Sequence, residues 1–168
     1  MIATFTVPKV LHSIDEASYR TALKQAESVI QSVTHDAYME GYTGNRSSYF
    51  HKRLNFIKYC TNGVTQGCMV VPDGETDDEY TERAFVLPSG VTIGGIQNVN
   101  FNHANGDGWR IDLNGVKPPN SEGVDIIYWQ APRYNTYGQI LNCSGRKLGC
   151  PSTSVLSITR YNELMGLP

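Results

Sequence analysis

Apolar residues recur at three- and four-residue steps from Pro8 to about Asp36, at Leu11, Ile14, Ala22, Ala26, Val29, Ile30 and Val33. That is the period of a helix with one narrow buried stripe. The opposite positions carry Asp15, Glu16, Arg20, Lys24, Glu27 and Gln31, and Glu16 with Arg20 forms a favourable i, i+4 pair. Neither proline nor glycine interrupts residues 9–36, and Pro8 suits a first helical turn. The pattern therefore predicts a helix over 8–36. Phe50, Leu54 and Ile57 share a second helical face, and Asn45 to Ser48 can cap it, so a shorter helix is predicted over 47–58. Glu40 to Asn45 reads as the loop between them.

After Cys68 the pattern changes. An acidic loop, Asp73 to Glu79, precedes runs rich in β-branched and aromatic residues, which predict strands at 83–87, 91–96, 108–113 and 124–130. Their short turns, such as Pro88-Ser89-Gly90, imply antiparallel neighbours. The tail from Pro132 is irregular and is expected to end in a helical turn around Ile158 to Met165. These elements describe one domain over 1–168: helix 8–36, a helix-to-sheet region 37–82, an antiparallel sheet 83–131 and a C-terminal region 132–168. The fold class is α+β, with a long N-terminal α-helix packed on a roughly four-stranded antiparallel sheet. Four short strands cannot cover so long a helix, so Leu11, Ile14, Ala22, Ala26, Val29 and Val33 are expected to divide their contacts between the sheet and neighbouring molecules.

Composition narrows the partners. At 168 residues with 40% hydrophobic content the chain can bury a real core. A net charge of -2 gives no overall basic field, and no nucleic-acid partner is expected. Arg133, Arg146, Lys147 and Arg160 make only a sparse basic set near the tail. The cysteines fall in two close pairs, Cys60 with Cys68 and Cys143 with Cys150, separated by seven and six residues. Local pairing needs the least rearrangement, and each bridge would stabilise by roughly 2 to 3 kcal/mol. Two disulfides imply an oxidising compartment. The competing readings are a four-cysteine zinc site, which usually has two to four residues between paired ligands, and free thiols.

Chemistry-bearing motifs are sparse. His12, His35, His51 and His103 are scattered, and no HExxH, GxSxG, Walker or dinucleotide glycine pattern occurs, so no enzymatic activity is predicted. Tyr128, Trp129, Tyr134 and Tyr137 cluster in sequence, with Trp109 on an earlier strand. They are read as packing, with a sugar- or partner-binding surface as the alternative. Between the last two strands, Gly115 and Gly123 permit tight turns, Pro118 and Pro119 fix an extended path, and Asp112, Asn114, Asn120 and Asp125 can accept turn amides. Turn capping accounts for all four acceptors, so no cofactor is expected. Calcium is the sharper alternative, because these are clustered hard-oxygen ligands. The run Asp73, Glu75, Asp77, Asp78 and Glu79 is a second, weaker calcium candidate, read first as a solvated loop.

Three segments together carry a family resemblance: IATFTVPKVL at 2–11, VLPSGVTI at 86–93 and IDLNGVKPPNSEGVDI at 111–126. With the order of elements, they resemble type IV pilins and the related pseudopilins of type II secretion, many of which carry a "DxNG" turn, a "PN" step and a "GxD" pair. The opening residues look like the second half of that family's apolar N-terminal helix, with Pro8 as its kinking proline. The prepilin cleavage site, the mature N-terminal Phe and its following Glu do not occur, which implies a soluble head with the membrane-inserting part of the helix upstream. No secretory signal precedes the helix, and Ile2 to Val7 is too short to cross a bilayer. The plain alternative for that segment is an ordinary buried helix start or strand. The resemblance implies a structural subunit that inserts in the inner membrane as a precursor and then packs with other subunits into an extracellular filament or periplasmic pseudopilus. It also implies that the cysteine-closed tail is the variable surface region. Some pseudopilins bind calcium in a loop of their β region, which adds to the calcium reading. The alternative function is an extracellular adhesive or ligand-binding module for sugar, protein or, ranked last, DNA.

Overall fold

The computed structural model describes residues 7–72, 82–101, 108–130, 150–151 and 154–168, with side chains described from residue 16 onward except at 150 and 151. Helix α1, Val7–Met39, runs for 33 residues. At 1.5 Å per residue it is about 50 Å long. Helix α2 is Arg46–Arg53, capped by Asn45, whose side chain accepts the Ser48 N–H at 2.9 Å. Strands β1 (Lys58–Cys60), β2 (Arg83–Val86), β3 (Thr92–Ile96), β4 (Gly108–Asp112), β5 (Ile126–Gln130) and the two-residue β6 (Cys150–Pro151) follow, then helix α3, Val155–Met165. All neighbouring strands pair antiparallel in the order β1-β2-β3-β4-β5-β6.

The α+β plan of a long N-terminal helix on an antiparallel meander is thus present, with three corrections. The sheet has more than the four expected strands, because Lys58–Cys60 adds to its edge and Cys150–Pro151 to the other. The second helix stops at Arg53 rather than Lys58, because the Ile57 N–H bonds to the Val86 carbonyl at 2.9 Å and commits that segment to the sheet. The last strand begins at Ile126 rather than Val124, since residues 121–125 are taken into a tight turn on the Ser121 carbonyl. The C-terminal helical turn is a full 11-residue helix.

Strand alternation sorts the sheet into two faces. Ile93, Ile111 and Ile127 are cross-strand partners on one face, as are Trp109 and Trp129. Their side chains are buried with Leu23, Ala26, Ile30, Phe50, Phe85 and Leu164 in one core that α1, α2 and α3 cover. On the other face lies a smaller cluster of Cys60, Cys68, Met69 and Ala84. The Cys60–Cys68 disulfide ties the 61–67 loop down there. Gly94 of β3 makes that cover fit, because a Cβ at this position would lie 1.8 Å from the Met69 sulfur. The expected Cys143–Cys150 bridge involves side chains outside the described residues.

Of the predicted assembly stripe, Ala22, Ala26 and Val33 are buried in the core and Val29 packs half-buried against it. The Leu11 and Ile14 side chains lie outside the described set. Among described α1 side chains, none ahead of Tyr19 belongs to the core.

Candidate metal centre

Strand β4 ends at Asp112, directly opposite the first residue of β5, Ile126. The intervening corner is built from the oxygens of its own acidic and amide residues. The Leu113 N–H donates to the Asp125 carbonyl at 2.9 Å and closes the neck. Asp112 Oδ1 accepts the Asn114 N–H at 3.2 Å, and the chain then turns at Gly115, φ 70°. A Cβ there would sit 2.8 Å from the Gly90 carbonyl oxygen, so the corner is pressed against the β2–β3 turn. After the cis Pro118-Pro119 bond, Asn120 adopts φ 48°. The Asp125 carboxylate receives the Asn120 N–H at 2.9 Å and the Ser121 N–H at 2.8 Å.

Capping explains Asp125 and half of Asp112, but not the whole set. Asp112 Oδ2, Asn114 Oδ1 and Asn120 Oδ1 are buried with no hydrogen-bond partner. Asp112 and Asp125 are both 0% exposed, and among the described residues neither is in an ion pair. Burial pushes the Asp112 carboxyl up to about 8; the nearby Asp125 charge adds to this, and the Asn114 and Gly115 backbone N–H groups oppose it. A buried carboxylate without a counter-charge is costly and must be neutralised by a proton or a cation.

The donor set decides which cation fits. Two carboxylates and two amide oxygens, with no nitrogen or sulfur, suit a hard ion such as calcium, which takes six to eight oxygens and completes its shell with carbonyls and water. An open cavity of about 380 Å³ adjoins the corner and shares Asn114 and Gly115 with it. Lys58 and Lys117 also line that cavity, and the Lys58 ammonium is held by the Gln66 carbonyl at 2.5 Å. Among the described residues no group of three or more His, Cys, Asp and Glu side chains is placed to hold a metal. The corner is a different kind of set, half of it amide.

All four sequence-predicted oxygen donors belong to this corner, where the Asp112 and Asp125 carboxyls lie near enough to interact by charge. The acidic run 73–79 lies outside the described residues, as do His103 and the His12 side chain. His35 is exposed, and His51 packs against Phe56 and Tyr59 at ring distances of 5.2 and 4.8 Å. Trp109 and Trp129 are fully buried, so neither offers a ring face to a sugar. Tyr128 is covered by the Arg110 guanidinium, 4.1 Å from its ring centre. Tyr134 and Tyr137 are outside the described residues, together with Arg133, Arg146 and Lys147.

Sequence reasoning missed the groups that join this corner to α1. Asn114 Nδ2 donates to the Tyr19 hydroxyl at 3.2 Å. Arg160 of α3 donates from Nε to the Val124 carbonyl at 2.8 Å and from Nη1 and Nη2 to the Glu16 carboxylate at 3.0 and 2.8 Å. Arg160 is 8% exposed and the Glu16 side chain 33%, so the bond is bidentate and charge-assisted but reached by solvent on one side. No local signal marks it, because the partners stand 144 residues apart.

Comparison with family models, with curated proteins and with solved structures finds no match to this chain. Among the described residues no helix is long and apolar enough to cross a membrane.

Proposed function

We propose that the chain is the head of a filament subunit on the type IV pilin or pseudopilin plan, non-enzymatic and acting by helix-mediated assembly. The observation that carries this reading is the length of α1. It runs for 33 residues, about 50 Å, whereas the longest described strands of the sheet have five residues, about 17 Å. A filament subunit needs such a long helix, extended upstream, to pack against its neighbours. Other copies of the subunit are the expected partners, with the inner membrane holding the precursor.

The upstream sequence tests this. A natural segment carrying a prepilin cleavage site, with membrane fractionation and filaments visible by electron microscopy, is the expected result. A conventional cleaved signal peptide and a freely secreted product overturn it and favour the adhesive or ligand-binding alternative.

A second reading is favoured by one specific feature, the unpartnered Oδ2 of wholly buried Asp112. Asp112 and Asp125, with Asn114 and Asn120, would hold a calcium ion that neutralises the corner. Bound calcium supplies positive charge and no reaction. A rise in melting temperature with calcium chloride over chelator supports it, and equal melting at saturating ion rejects it.

A further inference from the structure

The residues between the carboxylate corner and α1 suggest what a bound ion would control. Asn114 serves two sides at once: its backbone N–H caps Asp112, its Nδ2 holds the Tyr19 hydroxyl at 3.2 Å, and its Oδ1 is buried without a partner. Amide oxygen and nitrogen share one rigid plane, so fixing Oδ1 fixes the direction of the N–H bond to Tyr19. The second connection starts beside Asp125, whose neighbour Val124 offers its carbonyl to Arg160 at 2.8 Å. Arg160 in turn grips Glu16 and lies over the Tyr19 ring, 5.7 Å from its centre. Both connections end on Glu16 and Tyr19, at the N-terminal end of the described α1 side chains.

We propose that a divalent cation in the 112–125 corner tightens the hold of the head on α1 at residues 16–19, through Asn114 to Tyr19 and through Val124 and Arg160 to Glu16. The inference rests on the cation reading above. Its physical basis is that Asn114 and Val124 sit on the turns that carry the proposed ligands, so an ion drawing the corner's oxygens together holds those turns rigid. Ion occupancy and helix seating are then coupled, and by linkage each favours the other. The helix affected is the one through which the filament reading has the subunit assemble.

Amide hydrogen exchange on the full chain, in calcium chloride and in EDTA, tests the coupling. Calcium should slow exchange of residues 16–23 at least about five-fold, the low end of ordinary coupling between sites, and leave unchanged the segment 30–37, which Ile30, Val33, Thr34 and Ala37 anchor in the core. Tyr19→Phe combined with Glu16→Ala removes both connections without touching the four oxygen donors. This variant should still show a calcium-induced melting shift, reduced by the lost coupling, while its protection at 16–23 falls below about two-fold. A melting shift with no change at 16–23, or full protection retained in the double variant, overturns the coupling and leaves the ion site standing. No melting shift and no exchange difference overturn both. The filament reading is unaffected by either result, since it is decided by the upstream segment.

Discussion

Arg160 and Glu16, 144 residues apart, meet in a bidentate ion pair at 2.8 and 3.0 Å that closes α3 onto α1. The Arg160 guanidinium is held charged, its pKa raised: although burial works against the charge, the Glu16 hydrogen bonds and charge outweigh it. Arg160→Ala would leave the Val124 carbonyl and Glu16 without their donor. We expect a loss of about 2–3 kcal/mol, against about 1 kcal/mol for Glu16→Gln, which keeps an acceptor. Urea unfolding of the two variants measures the difference, and equal losses would contradict the assignment.

Asp112 makes the ion-free protein sensitive to alkali. Its folded-state value of about 8 lies above the ordinary 3.8, so the folded form binds the extra proton. Stability is fully present below about pH 4 from this group and declines as pH rises toward 8, by up to about 1.4 kcal/mol per unit. Denaturation in EDTA from pH 5 to 8 should show the decline. Asp112→Asn should flatten it, and calcium should flatten it in the unchanged protein.

The Cys60–Cys68 bridge closes a loop with a sequence separation of 8. Replacing both with alanine should cost about 2–3 kcal/mol, since so short a loop sits at the lower end of the loop-closure effect. Non-reducing peptide mapping should recover the linked pair, and the same map reports whether Cys143 and Cys150 are joined.

Gly115 should tolerate no side chain. Its φ of 70° disfavours every L-residue, and a Cβ would press to 2.8 Å from a backbone oxygen that cannot move away cheaply. Gly115→Ala should destabilise by about 1–3 kcal/mol and weaken any calcium-induced melting shift, because it displaces the turn that carries Asn114. Gly41→Ala is the control, since its φ is 63° with nothing within 4 Å. Strain alone gives the smaller loss.

Much of this architecture was legible in local patterns. The 3.6-residue period placed the first helix within three residues of Val7–Met39, and β-branched runs placed β2 to β5 within about two residues. Short elements were not legible. A three-residue strand such as Lys58–Cys60 has no period of its own and exists because β2 is there to pair with it. Among the corner residues, the donors Asp112, Asn114, Asn120 and Asp125 could be named from their spacing and turn chemistry. Which of their oxygens end without a partner could not, because burial and satisfaction depend on what packs around them.

What the sequence by itself determined is therefore the α+β plan, one long amphipathic helix, and an oxygen-rich turn between two strands. These follow from periodicity and turn preference, which act over a few residues. Tertiary structure alone decided that Asp112 is buried beside Asp125 with one oxygen unpaired, and that this corner reaches α1 through Tyr19 and Arg160. The links to α1 join positions 95 and 144 residues apart, and only the packing of α1 and α3 against the sheet brings those side chains within reach of one another.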